Sequence, residues 1–253
     1  MIGNLSRVLP YMFAAVAIVI VWQAVVVLTG AHIAILPSPW LTAETFAAMV
    51  LSGELFVHIG ASMRRVISAW LLAASVAIPL GLAMGRIRTV ERRIDPFIEL
   101  FRPISPLAWI PMSILWFGIG EGGKIFILFI GTFFPTLLNT IAGVKGVDPV
   151  LIRAGQVLGC KNEAVLFRKV ILPAALPSIV VGLRLSFGIG WAVIIAAELV
   201  AARSGLGFLI ADGMEILRSD RVLVGMVVIA LLGVVFDTVF RLLNRRFGWS
   251  GSS

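Results

Sequence analysis

Cysteine is nearly absent. The one residue, Cys160, excludes an internal disulfide, and with only two histidines, His32 and His58, the chain lacks the ligands for a structural metal site. Charge is scarce as well: Asp, Glu, Lys and Arg make up 13% of the 253 residues and hydrophobic residues 60%, whereas soluble domains are roughly a quarter charged. A surface built at that ratio would carry apolar patches far beyond the few hundred Å² that soluble monomers tolerate. Much of it must therefore face lipid. The net charge of +8 is scattered between apolar runs and not gathered on one solvated face, which argues against a nucleic-acid partner and for membrane topology. Neither histidine lies inside an apolar run and no nucleophile–base pair is evident, so an intramembrane enzyme has no support.

What is abundant is apolar sequence of membrane-crossing length, about 20 residues per span. The pattern predicts an all-α, polytopic membrane protein of about six transmembrane helices: Tyr11–Thr29, Ile67–Met84, Ile104–Ile119, Ile125–Val144, Leu176–Val200 and Val222–Leu243. The third is short and carries Pro106 and Pro111, which a membrane helix tolerates only where neighbours or a water-filled cavity satisfy the freed carbonyls. The first exceeds the length of a signal-peptide core and no small-residue cleavage site follows, so it reads as an uncleaved helix. Residues 1–60 form an N-terminal helix and outer segment, 61–246 the core, and 247–253 a tail.

Orientation follows from the excess of Lys and Arg on cytoplasmic connections. With the N-terminus inside, the inner segments hold Arg7; Arg86, Arg88, Arg92, Arg93 and Arg102; Lys145, Arg153, Lys161, Arg168 and Lys169; and Arg241, Arg245 and Arg246, fourteen in all. The outer segments hold Arg64, Arg65, Lys124, Arg203, Arg218 and Arg221, which is six. Both termini are thus expected on the cytoplasmic side. Two outer stretches, Leu41–Leu55 and Phe208–Leu217, have the length and apolar content of short surface helices, either ordinary loop helices or a platform for an external partner.

The fifth span carries charge, which is expensive in hydrocarbon and marks a pathway by default. Arg184, Trp191 and Glu198 are seven residues apart and fall within about 40° on one helix face, while Gly182, Ser186 and Gly190 lie roughly opposite in a small-xxx-small row suited to close helix packing. Two readings stand: the Arg184, Trp191 and Glu198 face lines an aqueous translocation pathway, or Arg184 snorkels to the inner interface and Glu198 sits at the outer boundary. Asp237 and Asn244 are read as interfacial.

The longest inner connection, Gly146–Pro173, begins with Asp148-Pro149, a capping acceptor followed by proline at the first helical position, and Gly159 marks a stop. Asn162 caps a second short helix, Glu163–Lys169, before Pro173. Ile152, Val157, Leu166 and Phe167 form apolar stripes, which by themselves suit an interfacial hairpin first and a docking element second. Gly118-x-x-x-x-Gly123-Lys124 looks like a phosphate-binding P-loop, but Ile125 stands where Ser or Thr must hold magnesium and no strand precedes it. Nucleotide binding by this loop is excluded.

Arg153-Ala154-Gly155-x-x-x-Gly159, followed by Val170-Ile171-Leu172-Pro173, resembles the cytoplasmic signature of ABC importer permeases, Glu-Ala-Ala-x-x-x-Gly then Ile-x-Leu-Pro, with Arg153 in place of glutamate and Gly155 in place of the second alanine. Ile35-Leu36-Pro37-Ser38-Pro39, Arg102-Pro103-Ile104-Ser105-Pro106-Leu107-Ala108-Trp109-Ile110-Pro111, Leu115-Trp116-Phe117-Gly118-Ile119-Gly120-Glu121, Leu172-Pro173-Ala174-Ala175-Leu176-Pro177 and Ala196-Ala197-Glu198 through Ser204-Gly205-Leu206-Gly207 are similar to the nitrate/sulfonate/taurine/bicarbonate permeases. The resemblance implies a permease of the bacterial inner membrane that has no cofactor of its own. It implies two permease copies, two ATP-binding cassette subunits that bind ATP and magnesium, and a periplasmic or lipid-anchored solute-binding protein that delivers a small anion. It also implies that the cassette docks on a coupling helix between the fourth and fifth spans, at Arg153, Ala154, Gly155, Leu158, Gly159, Cys160, Glu163 and Phe167. An ion-coupled secondary transporter is the alternative, and it would call for inverted repeats that the two halves do not show.

Overall fold

A computed structural model describes residues 2–30, 32–160 and 162–246. The expected tail 247–253 lies outside the described residues, and so does Lys161. Among those residues the architecture is all helical. In chain order, α1 (Ile2–Thr29), α2 (Pro39–Leu51), α3 (Glu54–Arg86) and α4 (Arg88–Phe101) are followed by a 3₁₀ turn (Pro106–Trp109), α5 (Ile110–Phe117), α6 (Glu121–Lys145) and α7 (Pro149–Val157). The short α8 (Glu163–Leu166) then runs through a π-turn (Phe167–Ile171) into α9 (Leu172–Ala201), and α10 (Leu206–Glu215) and α11 (Ser219–Arg246) complete the chain. Four helical segments, α3, α6, α8–α9 and α11, are long and apolar enough to cross a membrane, and shorter apolar helices cover Val16–Thr29 and Pro106–Phe117.

Local chemistry starts several of these helices. Ser38 accepts from the Leu41 N–H at 3.2 Å and Pro39 occupies the first turn of α2; Asp148 accepts from Val150 N–H at 2.7 Å ahead of Pro149 in α7; and Asn162 accepts from Ala164 N–H at 3.0 Å. Each uses a short polar side chain on an otherwise unpaired amide. Both expected surface helices exist, as α2 and α10.

The centre of the fold is α6, packed between α3 and α9. Small residues make the seams: a side chain at Gly81 would collide with Thr140, at Gly143 with Ser178, at Gly182 with Asn139, and at Gly190 with Thr132. Gly182 and Gly190 belong to the row expected from their spacing, and that row is the packing face of α9. Thr132, Thr136 and Thr140 on α6 are fully enclosed, yet each hydroxyl donates to the carbonyl four residues earlier, at 2.8, 2.9 and 2.8 Å. No polar group is stranded in the seam.

Charged residues mark the two ends of this layer. Glu121 opens α6 and Lys145 closes it, about 36 Å apart at 1.5 Å per residue, against a hydrocarbon thickness of about 30 Å. Lys145 pairs with Glu91 at the start of α4.

Three expectations need correcting. The second span begins at Glu54 and not at Ile67, so Arg64 and Arg65 lie within α3 and not in an outer connection. The second short helix after Gly159 is no separate element, because α8 continues through the π-turn into α9. The third span is a broken one: α4 packs Ile98 near Met84 and Leu137, the helix breaks at residues 102–105, and the 3₁₀ turn and α5 form only the short apolar helix Pro106–Phe117. Arg102 stands at that break, in a cleft with Gly131 and Pro135 of α6.

Candidate functional site

At the Lys145 end, α7 lies across the foot of α8–α9. Gly155 is buried there, and a Cβ on it would sit 2.8 Å from Val170 Cγ2 and 3.1 Å from Leu166 Cδ1. Glycine at this position lets the Val170 and Leu166 side chains rest against the α7 backbone. The turn closes with Leu158 N–H on Ala154 O at 2.9 Å and Cys160 N–H on Gly155 O at 3.0 Å, while Gly159 takes φ +98°, a left-handed conformation that other residues rarely adopt. Leu166 and Ile171 anchor the segment in a cluster with Val144, Val147, Ala175 and Ile179, and Glu163 pairs with Arg86 at the end of α3.

The eight residues named for docking thus divide. Gly155 is buried and Cys160 and Phe167 half-buried, so these three shape the turn; Arg153, Ala154, Leu158, Gly159 and Glu163 are exposed. At its tip Val157 and Leu158 are 86% and 85% exposed. Two large apolar side chains thus stand in the open at the turn, with arginine and glutamate beside them.

The α9 residues are brought to one face but not to one environment. Arg184 donates from Nε to Asp237 Oδ1 on α11 at 3.0 Å, and Asp237 also pairs with Arg241. Trp191 is buried and donates from Nε1 to Ile229 O at 3.2 Å. Glu198 is 0% exposed. Within the single chain, Trp191 and Glu198 are framework and only Arg184 reaches a partly open surface.

Glu198 belongs to a network that the sequence reading missed. Its centre is Arg65, whose side chain is 2% exposed. Nε and Nη2 reach the two Glu121 carboxylate oxygens, each at 2.7 Å; Nη1 reaches Glu198 Oε1 and Ser204 O, each at 2.6 Å; and Nη2 also reaches Ser204 Oγ at 3.1 Å. A guanidinium has five N–H groups, and all five are used. Ser62 Oγ donates to Glu198 Oε2 at 2.8 Å and accepts from Leu206 N–H at 2.8 Å, Gly207 N–H donates to Glu198 Oε2 at 3.0 Å, and Gly205 N–H donates to His58 Nδ1 at 3.1 Å. Lys124 is buried and bonds Glu121 at 3.2 Å. With Arg65 and Lys124 against Glu121 and Glu198 the network is neutral, as burial demands. It fastens α3, α6, α9 and the turn before α10 at the Glu121 end of the layer.

The glycines of Ser204-Gly205-Leu206-Gly207 are explained by this network. Gly205 has φ +121°, and a Cβ on it would enter the Glu198 carboxylate, while one on Gly207 would collide with Ile195 O. The signal for Arg65 was available as a helical spacing of buried residues, Leu55, His58, Ser62, Arg65, Val66 and Ala69, but it fell outside the apolar window. Nearby, Arg218, in the turn before α11, is held above the ordinary arginine range by its bond to Asp220, which in turn accepts from Thr45 at 2.7 Å.

Residues 77–249, which include the turn after α7, the whole of the broken span and Glu198, match the description "binding-protein-dependent transport system inner membrane component". The chain belongs to that family. This permease is 40% identical over 254 residues to the taurine transport system permease protein TauC of Escherichia coli (strain K12), covering 98% of the chain and 92% of TauC. It is 38% identical over 229 residues to a protein described as an aliphatic sulfonates transport permease, SsuC of Bacillus subtilis (strain 168), covering 90% and 83%. In fold it is similar to a chain of an amino acid ABC transporter crystallised with histidines, with TM-score 0.61 at 20% identity over 79% of this chain and 98% of that one. It is a multi-pass membrane protein of a family of importer permeases.

Proposed function

We propose that two copies of this permease form the membrane pathway of an ATP-driven importer for a small sulfonate-type anion. Two cassette subunits, which bind ATP and magnesium, dock on the turn around Val157 and Leu158, and a binding protein delivers the anion at the Glu121 end. The observation that carries the docking assignment is the turn itself: Gly155 seats α7 directly on the foot of α8–α9, so whatever grips Leu158 grips a membrane-crossing helix. The anion class follows from the names of two relatives of about 40% identity that cover most of the chain.

In this reading the Lys145 end, with Arg86, Arg88, Arg92, Arg93, Arg153, Arg168, Lys169 and Arg241 around it, is cytoplasmic, and both termini lie on that side. ATP hydrolysis belongs to the partner subunits. Lys124 supports this, since it is buried on Glu121 and has no free face for a phosphate. Arg184, held by Asp237 on a partly open surface, remains a contributor to the pathway wall, with Trp191 and Glu198 supporting it from within. The test is reconstitution of the permease with a cassette subunit and a binding protein in proteoliposomes. ATP-dependent taurine uptake that requires all three chains is the expected result. Uptake by the permease alone, driven by an ion gradient, would establish the secondary transporter instead.

A further inference from the structure

We propose that Arg102, at the break in the third span, is the residue that holds the transported anion halfway across the membrane, a role that rests on the importer reading above. Its depth comes from α6. Arg102, Ile104 and Pro106 share a cleft of about 350 Å³ with Ile130, Gly131, Phe134 and Pro135, and Pro106 Cγ is 3.5 Å from where a Gly131 Cβ would stand. Gly131 and Pro135 are ten and fourteen residues from Glu121, and fourteen and ten from Lys145. At 1.5 Å per residue the cleft, which Leu138 also lines, extends from about 10 Å from the Lys145 end of α6 to about 14 Å from its Glu121 end. That is the middle of the layer.

The rotation of α4 shows what Arg102 faces. At 100° per residue Arg88, Arg92, Asp95, Glu99 and Arg102 fall within an arc of about 80°, and all but the half-buried Asp95 are exposed. On another arc Val90, Ile94 and Ile98 pack against α3 and α6. A helix inside the layer cannot turn a row of charges to hydrocarbon, so the row faces water or protein. It climbs from the Lys145 end and stops at Arg102, beyond which α5 is apolar and ends at Phe117.

Charge satisfaction then separates the arginines. Arg65 spends all five N–H groups within the chain, and Arg184 is paired with Asp237, a carboxylate it shares with Arg241. Among the described residues no carboxylate lies within 4.0 Å of the Arg102 guanidinium. An unpaired guanidinium at mid-depth, in a cleft with apolar walls, attracts an anion much more strongly than one in water, and its planar fork matches two oxygens of a sulfonate.

The test uses the complete importer in proteoliposomes with radiolabelled taurine, scaled to assembled complex. Arg102→Gln should lower uptake about tenfold or more with assembly intact, and Arg102→Lys should recover part of it. Independently, Arg102→Cys should react with a membrane-impermeant, sulfonate-bearing thiol reagent, read on the peptide containing position 102 so that Cys160 does not interfere, and excess taurine should slow the reaction. Wild-type uptake with unchanged uptake in Arg102→Gln removes the proposal alone. So does an Arg102→Cys protein that never reacts, since the position is then covered by lipid or by the second copy. A wild-type complex that carries no small anion removes the importer reading and the proposal together.

Discussion

The network around Arg65 gives the most quantitative expectation. Arg65→Met removes five hydrogen bonds and leaves Glu198 at 0% exposure with only Ser62 Oγ and Gly207 N–H as donors. Glu121 keeps Lys124 and partial contact with water, so its loss is smaller. Breaking a buried ion pair by deleting one partner is destabilising by about 3–5 kcal/mol, most of it from the charge left behind. Glu198→Gln keeps the shape and removes that charge. Alone it should be destabilising by about 1–3 kcal/mol, since Arg65 retains Glu121 and Ser204. Combined with Arg65→Met it should add little or even recover stability, so the double variant should fall short of the sum of the singles by about 1–3 kcal/mol. Arg65→Lys preserves charge but has three N–H donors to offer five acceptor contacts, and should fall between wild type and Arg65→Met. The assay is reversible unfolding of the purified permease in mixed detergent micelles, followed by tryptophan fluorescence. Strict additivity of the double variant, or an Arg65→Met protein within about 0.5 kcal/mol of wild type, would refute the claim that the pair is buried and mutually dependent.

Other expectations follow from single contacts. Gly155→Leu should pry α7 off Val170 and Leu166 and abolish co-purification of a cassette subunit, with Gly155→Ala milder; normal recovery of the cassette would move docking elsewhere. Leu158→Asp, which puts a charge on an exposed apolar tip without touching the fold, should weaken cassette binding about tenfold or more while leaving the unfolding curve of the isolated permease unchanged. Gly205→Ala forces a left-handed backbone and a clash with the Glu198 carboxylate, and should be destabilising by about 2 kcal/mol or more in the same unfolding assay. The exchange Arg184→Asp with Asp237→Arg should restore part of the membrane-inserted yield lost in Arg184→Asp alone; no recovery would mean that the α9–α11 pair contributes nothing to assembly.

Where local chemistry decides, the structure was readable in advance. Asp148 and Asn162 cap helices where a short acceptor followed by a helix start required it, and the glycine row of α9 packs as its spacing demands. Where tertiary partners decide, it was not. Pro173 stands between the expected second short helix and the next span, but the Leu172 N–H bonds Phe167 O in the π-turn just before it, and this wider turn accommodates the proline ring, so α8 runs on into α9 as one helix. Gly155 looks like a departure from an alanine pattern, and only the proximity of Val170 shows why the smaller residue is needed.

Arg65 and Arg102 show the same limit from opposite sides. Hydropathy averages treat each as a penalty, and both end an apolar window, so the sequence reading placed both outside the layer. In the fold, Arg65 is inside α3 and Arg102 at the break after α4, and what differs is the company each keeps. Arg65 meets two carboxylates and a serine contributed by α6, α9 and the turn after it, at sequence separations of 56, 133 and 139 residues, and is silenced as a charge. Arg102 meets proline, isoleucine, phenylalanine and glycine, and is not. No window along the chain contains that difference, because it lies in which distant residues fold against each arginine. A transport protein needs both outcomes: a neutral clamp that holds helices at one end, and a charge left unanswered where the cargo passes.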